Sequence, residues 1–279
     1  MTTYDSSFFA RLTPESYRSA KEVIPRLVEH YRPKSAVDVG CGVGAWAKAL
    51  QEEGIEDVIG IDGDYVNPTM LMIDHARFLA VDLSRGFDLE RKFDLVVSVE
   101  VAEHLPCKQA AGFVRDLTAL GDVILFSAAL PYQNGVNHLN ENWLEFWAIL
   151  FRRHDFAPVD LIRPAIWCNS KISYWYRQNI MLFVNKTKAM TVFPMSRFDV
   201  QRPLTYVHPQ LFIEAKWWRR SRENSWKKVA QDLSYYDALV EAYLRGSTEL
   251  PHQWKLYQSD KDSRWASLWR KVRDLLPST

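Results

Sequence analysis

The sequence is short of cysteine: Cys41, Cys107 and Cys168 are the only three in 279 residues. They are too few and too scattered for a disulfide framework or a thiolate zinc site. No apolar run approaches the roughly 20 residues that span a bilayer, and Met1 to Arg11 lacks the basic-then-apolar order of a signal peptide. A reducing cytoplasm is therefore the expected location. Internal repeats and low-complexity stretches are also missing, which argues against a repeat architecture. Net charge is scarce: 35 Lys and Arg against 34 Asp and Glu leave +1, which makes no global case for nucleic acid. The balance conceals a division, because 17 basic and 10 acidic side chains lie from Lys186 onward, and 18 and 24 before it. An anionic partner, if there is one, would meet the tail.

What the chain does have is 47% hydrophobic residues, enough for a sizeable core. Between Pro14 and Tyr31, Ala20, Val23, Ile24, Leu27 and Val28 recur at helical spacing, with Pro25 as a point where the helix can kink. Short apolar segments then alternate with helical ones. The spacing predicts strands over 35–39, 57–61, 78–81, 93–99, 122–128, 161–166 and 179–184, and helices over 45–53, 109–120 and 142–152. This alternation implies an α/β domain with a mostly parallel, seven-stranded sheet covered on both faces. The last two strands, joined without a clear helix, suit a hairpin at one edge.

Ala36 to Gly44 reads as a buried strand entering a Gly-rich turn and then a helix. Gly40, Gly42 and Gly44 let backbone approach a ligand closely, and Asp38 can hold a cationic amine. That pairing suits an amino-acid-bearing nucleoside better than a pyrophosphate, with a dinucleotide site as the rival. The next strands end in Asp62, placed to accept both ribose hydroxyls, and in Asp82-Leu83, placed to take an adenine amino group and pack on its ring. In order and spacing, Ala36 to Val184 resembles the class I S-adenosylmethionine-dependent methyltransferases. The resemblance implies a Rossmann-like fold, with Asp38, Gly40, Gly42 and Gly44 around the methionine moiety, Asp62 on the ribose, and Asp82 and Leu83 on adenine. Asp64 either joins them or caps a local turn, and the resemblance implies that Tyr4 and Phe8, ahead of the first helix, lie over the cofactor as a lid.

Methyl transfer from a sulfonium is an in-line displacement, so the acceptor must be aligned and, if it is a hydroxyl, its proton removed. The groups for this belong after strands four and five. Two stretches there are dense in ligands: Glu100-Val-Ala-Glu103-His104, and Leu130 to Trp143 with His138. The pattern resembles the metal site of the small-RNA 2′-O-methyltransferases and, in part, of the ubiquinone-pathway O-methyltransferases. It implies Glu100, Glu103, His104 and His138 as ligands of Mg²⁺ or another divalent ion. The other readings are His138 as a metal-free general base, with Glu103 and His104 as catalytic neighbours, or purely structural roles, with Asn140 and Glu141 as the N-cap and first turn of the next helix. Gln133-x-Gly-x-x-His138-x-Asn140-Glu141 also resembles uncharacterised methyltransferases encoded with glycan-modifying genes and in some phages, with Pro-Tyr-Gln here where Pro-Gly-Gln is usual. Tyr132, Gln133, Asn134, Trp143 and Trp147 suit a sugar ring.

Beyond Lys186, Pro194, Pro203 and Pro209 interrupt the chain, and helices are expected over 211–245 and 263–276, a stretch holding six of the 11 Trp. Trp265, Leu268, Trp269, Val272 and Leu275 form one stripe flanked by Arg264, Arg270, Lys271 and Arg273. That helix either packs on its own domain, makes a homodimer contact or lies peripherally on a membrane. Lys216 to Arg222 is either a solvated face or an anion contact. The division expected is 1–34 for the first helix and cofactor lid, 35–186 for the methyltransferase-like domain, and 187–279 for a Trp-rich basic helical extension. The expected function is S-adenosylmethionine-dependent O-methylation of a carbohydrate or glycoconjugate hydroxyl. Secondary metabolites and nucleic-acid ribose are alternative acceptors, and a non-catalytic binding protein is the alternative of another class.

Overall fold

The computed structural model describes residues 6–193, 203–211, 226–252 and 254. Seven strands, β1 (Ser35–Val39), β2 (Asp57–Asp62), β3 (Phe78–Ala80), β4 (Leu95–Val99), β5 (Val123–Ser127), β6 (Phe156–Val159) and β7 (Met181–Asn185), form one sheet in the order β3-β2-β1-β4-β5-β7-β6. Strands β1 to β5 pair in parallel, and β7 runs antiparallel to both β5 and β6. The expected Rossmann-like, mostly parallel architecture is present, with the hairpin at its edge. The strand order reverses between β1 and β4, so the crevice of this sheet opens at their carboxyl ends.

The period of two in β1 sends Ala36 to one face and Val37 and Val39 to the other. On the Ala36 face, α1 (Ser6–Val28) and α2 (Ala45–Glu52) bury Val23, Ile24, Leu27 and Leu50. On the Val37 face lie α3 (Ala110–Leu120) and α4 (Leu144–Arg152). Every residue of α4 from Leu144 to Phe151 is buried. A helix apolar all round needs cover on its outer side, and α8 (Trp226–Leu244) supplies it through Tyr235, Leu239 and Tyr243. The tail thus shares a core with the sheet.

Three expectations are corrected. The apolar run 161–166 is not a strand: Arg163–Ile166 is a short helix, α5, with Pro164 in its first turn and Arg163 paired to Asp160 three residues earlier at 2.6 Å. Both features favour a helical turn, and apolar residues alone do not separate a buried strand from a buried turn. The strand is Phe156–Val159 instead, and its Pro158 is tolerated because β6 is the sheet's edge. The hairpin connection also carries α6 (Tyr174–Asn179), and α7 (Lys186–Val192) follows β7. Phe8 does not precede the first helix, because α1 begins at Ser6 and continues through Pro14 and Pro25. Tyr4, the Lys216 to Arg222 cluster and the 263–276 stripe lie outside the described residues. Among the described residues no helix is long and apolar enough to cross a membrane.

Candidate functional site

After β1 the chain turns through Gly40, Gly42 and Gly44, at φ 79°, 54° and 87°. A Cβ on Gly40 would stand 2.4 Å from a Val101 methyl, and one on Gly42 would stand 2.9 Å from the Phe9 ring. The turn is therefore clamped between α1 and the segment after β4. Asp62, at the end of β2, accepts the amides of Gly42 and Gly63, each at 2.7 Å, and the Tyr65 hydroxyl. Burial pushes its pKa up against those bonds. Asp82 follows β3 and accepts the Ser84 amide at 3.0 Å and its hydroxyl at 2.6 Å, which hold its carboxyl below the usual range. Asp38 is buried beneath the turn, accepts the Ala47 amide at 3.1 Å, and is pushed up to about 7, chiefly by burial and further by the charge of Asp62.

A cavity of about 1020 Å³ spans the carboxyl ends of the strands. Gly40, Gly42, Asp62, Asp64, Asp82 and Leu83 line it on the β1–β3 side, and Glu100, Glu103, His104, Gln133, Asn134 and His138 on the β4–β5 side. Phe8, Phe9 and Leu12 of α1 also line it, which is the part of the expected lid that is described. Two expected cofactor residues, Asp38 and Gly44, are not on the cavity wall. Asp38 instead ties the turn to the first turn of α2.

The β4–β5 side is held in unusual backbone conformations. Glu100, Tyr132, Asn134 and Asn137 have φ of 57°, 72°, 58° and 60°, the left-handed region that side chains disfavour. Glu103 is fully buried, and neither carboxylate oxygen has a hydrogen-bond partner. Burial first, and then the charge of Glu100, pushes its pKa well up; the nearby amides of Glu103 and Ala129 offset only part of this. His104 packs edge to face on His138, with ring centres 4.9 Å apart. Burial lowers the pKa of His104 to about 4, with the charge of His138 adding to the shift. Its Nδ1–H donates to the Asn137 carbonyl at 3.4 Å, so the neutral His104 ring keeps Nε2 as an acceptor, and Nδ1–H of His138 donates to Glu141 at 3.0 Å.

Side-chain donor atoms of Glu103, His104 and His138 lie within 4.8 Å of one another. Glu100 is not in that group. Its two oxygens are taken by the side-chain amides of Gln133 at 2.8 Å and Asn179 at 3.1 Å. Asn140 and Glu141 do not cap α4 either. Asn140 is buried, with its carbonyl accepting Cys107 Sγ and Asn142 Nδ2, each at 2.6 Å. Trp143 is the N-cap residue, and the Leu144 amide is received by Thr205 Oγ1 at 3.2 Å. The sequence reading missed Tyr65, Ser16 and the Tyr174-Trp175-Tyr176-Arg-Gln178-Asn179 run. Tyr174, Trp175 and Tyr176 line the cavity, and the buried Tyr176 hydroxyl, its pKa pushed up to about 12, pairs with Ser16 at 3.0 Å. Its density of aromatic and amide groups was the available signal, hidden by assigning the stretch to a loop and a strand.

A family model for a methyltransferase domain matches residues 11–168. No curated protein matches the sequence. Among solved structures, the chain is similar to magnesium protoporphyrin IX methyltransferase from Synechocystis with bound S-adenosylmethionine, at 17% identity and a TM-score of 0.46, covering 61% of this chain and 80% of that one. It is also similar to the plantazolicin methyltransferase in complex with S-adenosylhomocysteine, at 16% identity and a TM-score of 0.48, covering 65% and 88%.

Proposed function

Since this chain belongs to the methyltransferase-domain family, we propose that it transfers the methyl group of S-adenosylmethionine to a hydroxyl of a carbohydrate or glycoconjugate. The observation that carries this reading is one cavity holding both halves of the chemistry: Gly40, Gly42, Asp62 and Asp82 on one side of the β1–β4 crevice, and Glu103, His104 and His138 on the other. Asp62 receives the ribose diol, Asp82 the adenine amino group, and Leu83 packs on the ring. Across the crevice the acceptor oxygen attacks the methyl carbon in line with the departing sulfur, so that the O–C bond forms as the C–S bond breaks. The hydroxyl proton passes to Nε2 of His138, whose ring Glu141 orients, leaving a methyl ether and S-adenosylhomocysteine.

Glu103, His104 and His138 also fit a divalent metal ion. The carboxylate is buried with no partner on either oxygen, and His104 is held neutral, as a ligand must be. Such an ion would supply positive charge beside the acceptor oxygen and favour its deprotonation. Tyr174, Trp175, Gln133 and Asn134 supply the aromatic faces and hydrogen-bonding groups that a sugar ring uses. The deciding experiment is labelled-methyl transfer to activated sugars, lipid-linked glycans, small secondary metabolites and RNA. Label in the sugars or glycans is expected. Label only in RNA or in small metabolites favours those acceptors, and no transfer to any class, with the cofactor bound, favours a non-catalytic binding protein.

A further inference from the structure

The carboxylate of Glu100 ends a directional chain of amides that starts in the C-terminal segment. The backbone N–H of His208, which can only donate, gives its hydrogen to Gln178 Oε1 at 2.7 Å. That fixes Gln178 Nε2 as a donor toward Asn179 Oδ1 at 3.0 Å and Gln133 Oε1 at 3.4 Å. A second backbone donor, Leu130 N–H, points at the same Gln133 oxygen at 3.4 Å. The Asn179 NH₂ also donates to that Gln133 oxygen, at 2.8 Å. With their oxygens so engaged, Asn179 and Gln133 can present only N–H groups to Glu100, and both donate to it, at 3.1 and 2.8 Å. None of the three side-chain amides can flip without setting donor against donor. Gln178 and Asn179 are each 1% exposed, so water does not relieve such a conflict.

Glu100 is the first residue after β4 and lines the cavity at the point where the strand order reverses. On the function proposed above, the sulfonium and the methyl in transit meet there. The residues that fix the start of the chain are anchored in turn. Leu204 and Thr205 donate their amides to the buried Glu145 at 2.7 and 3.0 Å, and the His208 ring lies on Trp167 at 5.1 Å.

We propose that Gln178, aligned by the His208 amide, is a positioning residue that holds the Glu100 carboxylate toward the positive charge of the methyl donor, making residues 203–208 a working part of the transfer site. This inference rests on the methyltransferase reading. Charge is the property to test, and two ligands isolate it: S-adenosylhomocysteine, neutral at sulfur, and sinefungin, which carries a protonated amine where the methyl sits. Dissociation constants for both come from isothermal titration on the full-length protein. Glu100→Gln is expected to weaken sinefungin by about ten- to a hundredfold while S-adenosylhomocysteine changes by less than about twofold. Gln178→Met is expected to shift the ratio in the same direction by about three- to tenfold. If Gln178→Met does not fold, Gln133→Met carries the same expectation, because it removes the N–H that Gln133 itself donates to Glu100. An unchanged ratio in the Glu100 or the amide variants, or equal loss of both ligands, overturns the proposal, since a merely structural role predicts equal loss. Wild-type protein that binds neither ligand overturns the function itself, and this inference with it.

Discussion

Glu103 sits fully buried between Glu100 and two imidazoles, with two backbone amides nearby but neither close and aligned enough to complete a hydrogen bond to its oxygens, an arrangement that costs folding free energy. Glu103→Gln removes the carboxylate but keeps the shape. It is expected to raise the melting temperature of the metal-free protein by several degrees, for a gain of about 1–3 kcal/mol, while methyl transfer is lost. A lower melting temperature in calorimetry would mean that the carboxylate is satisfied after all. Asp38 has a folded-state pKa of about 7 against an ordinary 3.8. The folded protein keeps this proton over a range in which the unfolded chain has lost it. Asp38 thus contributes stability that is full below about pH 4 and fades as pH rises to about 7. Asp62 and Glu103, also pushed up, act in the same direction. Melting curves of the ligand-free protein between pH 4 and 7 are expected to fall with rising pH, and Asp38→Asn to flatten that fall. Parallel curves for the two proteins would remove Asp38 from the account. What was legible in the sequence was the place of Asp62 and Asp82 at strand ends lining the cavity, because a strand end followed by a turn has a readable local signature. The partners of Glu100, read as a metal ligand, were not legible, because Asn179 comes from a helix distant in sequence.

At the scale of elements, the all-buried α4 is the most informative. Its Glu145 is fully buried and receives the Leu204 and Thr205 amides and, at 2.6 Å, the Thr205 hydroxyl. Glu145→Ala would leave those donors without an acceptor in a dry interior. The expected cost is about 3–5 kcal/mol, a melting-temperature drop on the order of 10 °C, together with faster amide exchange over 203–208. Unaltered exchange in that segment would show that it is held by other contacts. The misplacement of the sixth strand has a related cause. Pro158 is an unfavourable residue inside a strand, the apolar 161–166 run has the composition of one, and only the pairing of Phe156–Val159 with β7 resolves them.

At the scale of the molecule, the β1–β4 reversal puts Gly40, Gly42, Asp62 and Asp82 on one side of the cavity and the His–Glu group on the other, so on the proposed function cofactor binding and proton removal are separate tasks. Chelator is therefore expected to abolish turnover while leaving S-adenosylhomocysteine affinity intact, with Mg²⁺ or Mn²⁺ restoring activity. Full turnover in chelator would leave His138, oriented by Glu141, as the base. By itself, the sequence determined the α/β architecture, the Gly turn and the acids at the ends of β2 and β3. Those depend on periodicity and on neighbours along the chain, and their physics is local. The tertiary structure alone decided that Glu103, His104 and His138 meet without Glu100, that Asp38 faces a helix rather than the cavity, and that the His208 amide meets Gln178. Each of these is a choice among partners far apart in sequence, made by which buried donors and acceptors can be satisfied together once the sheet has closed around them.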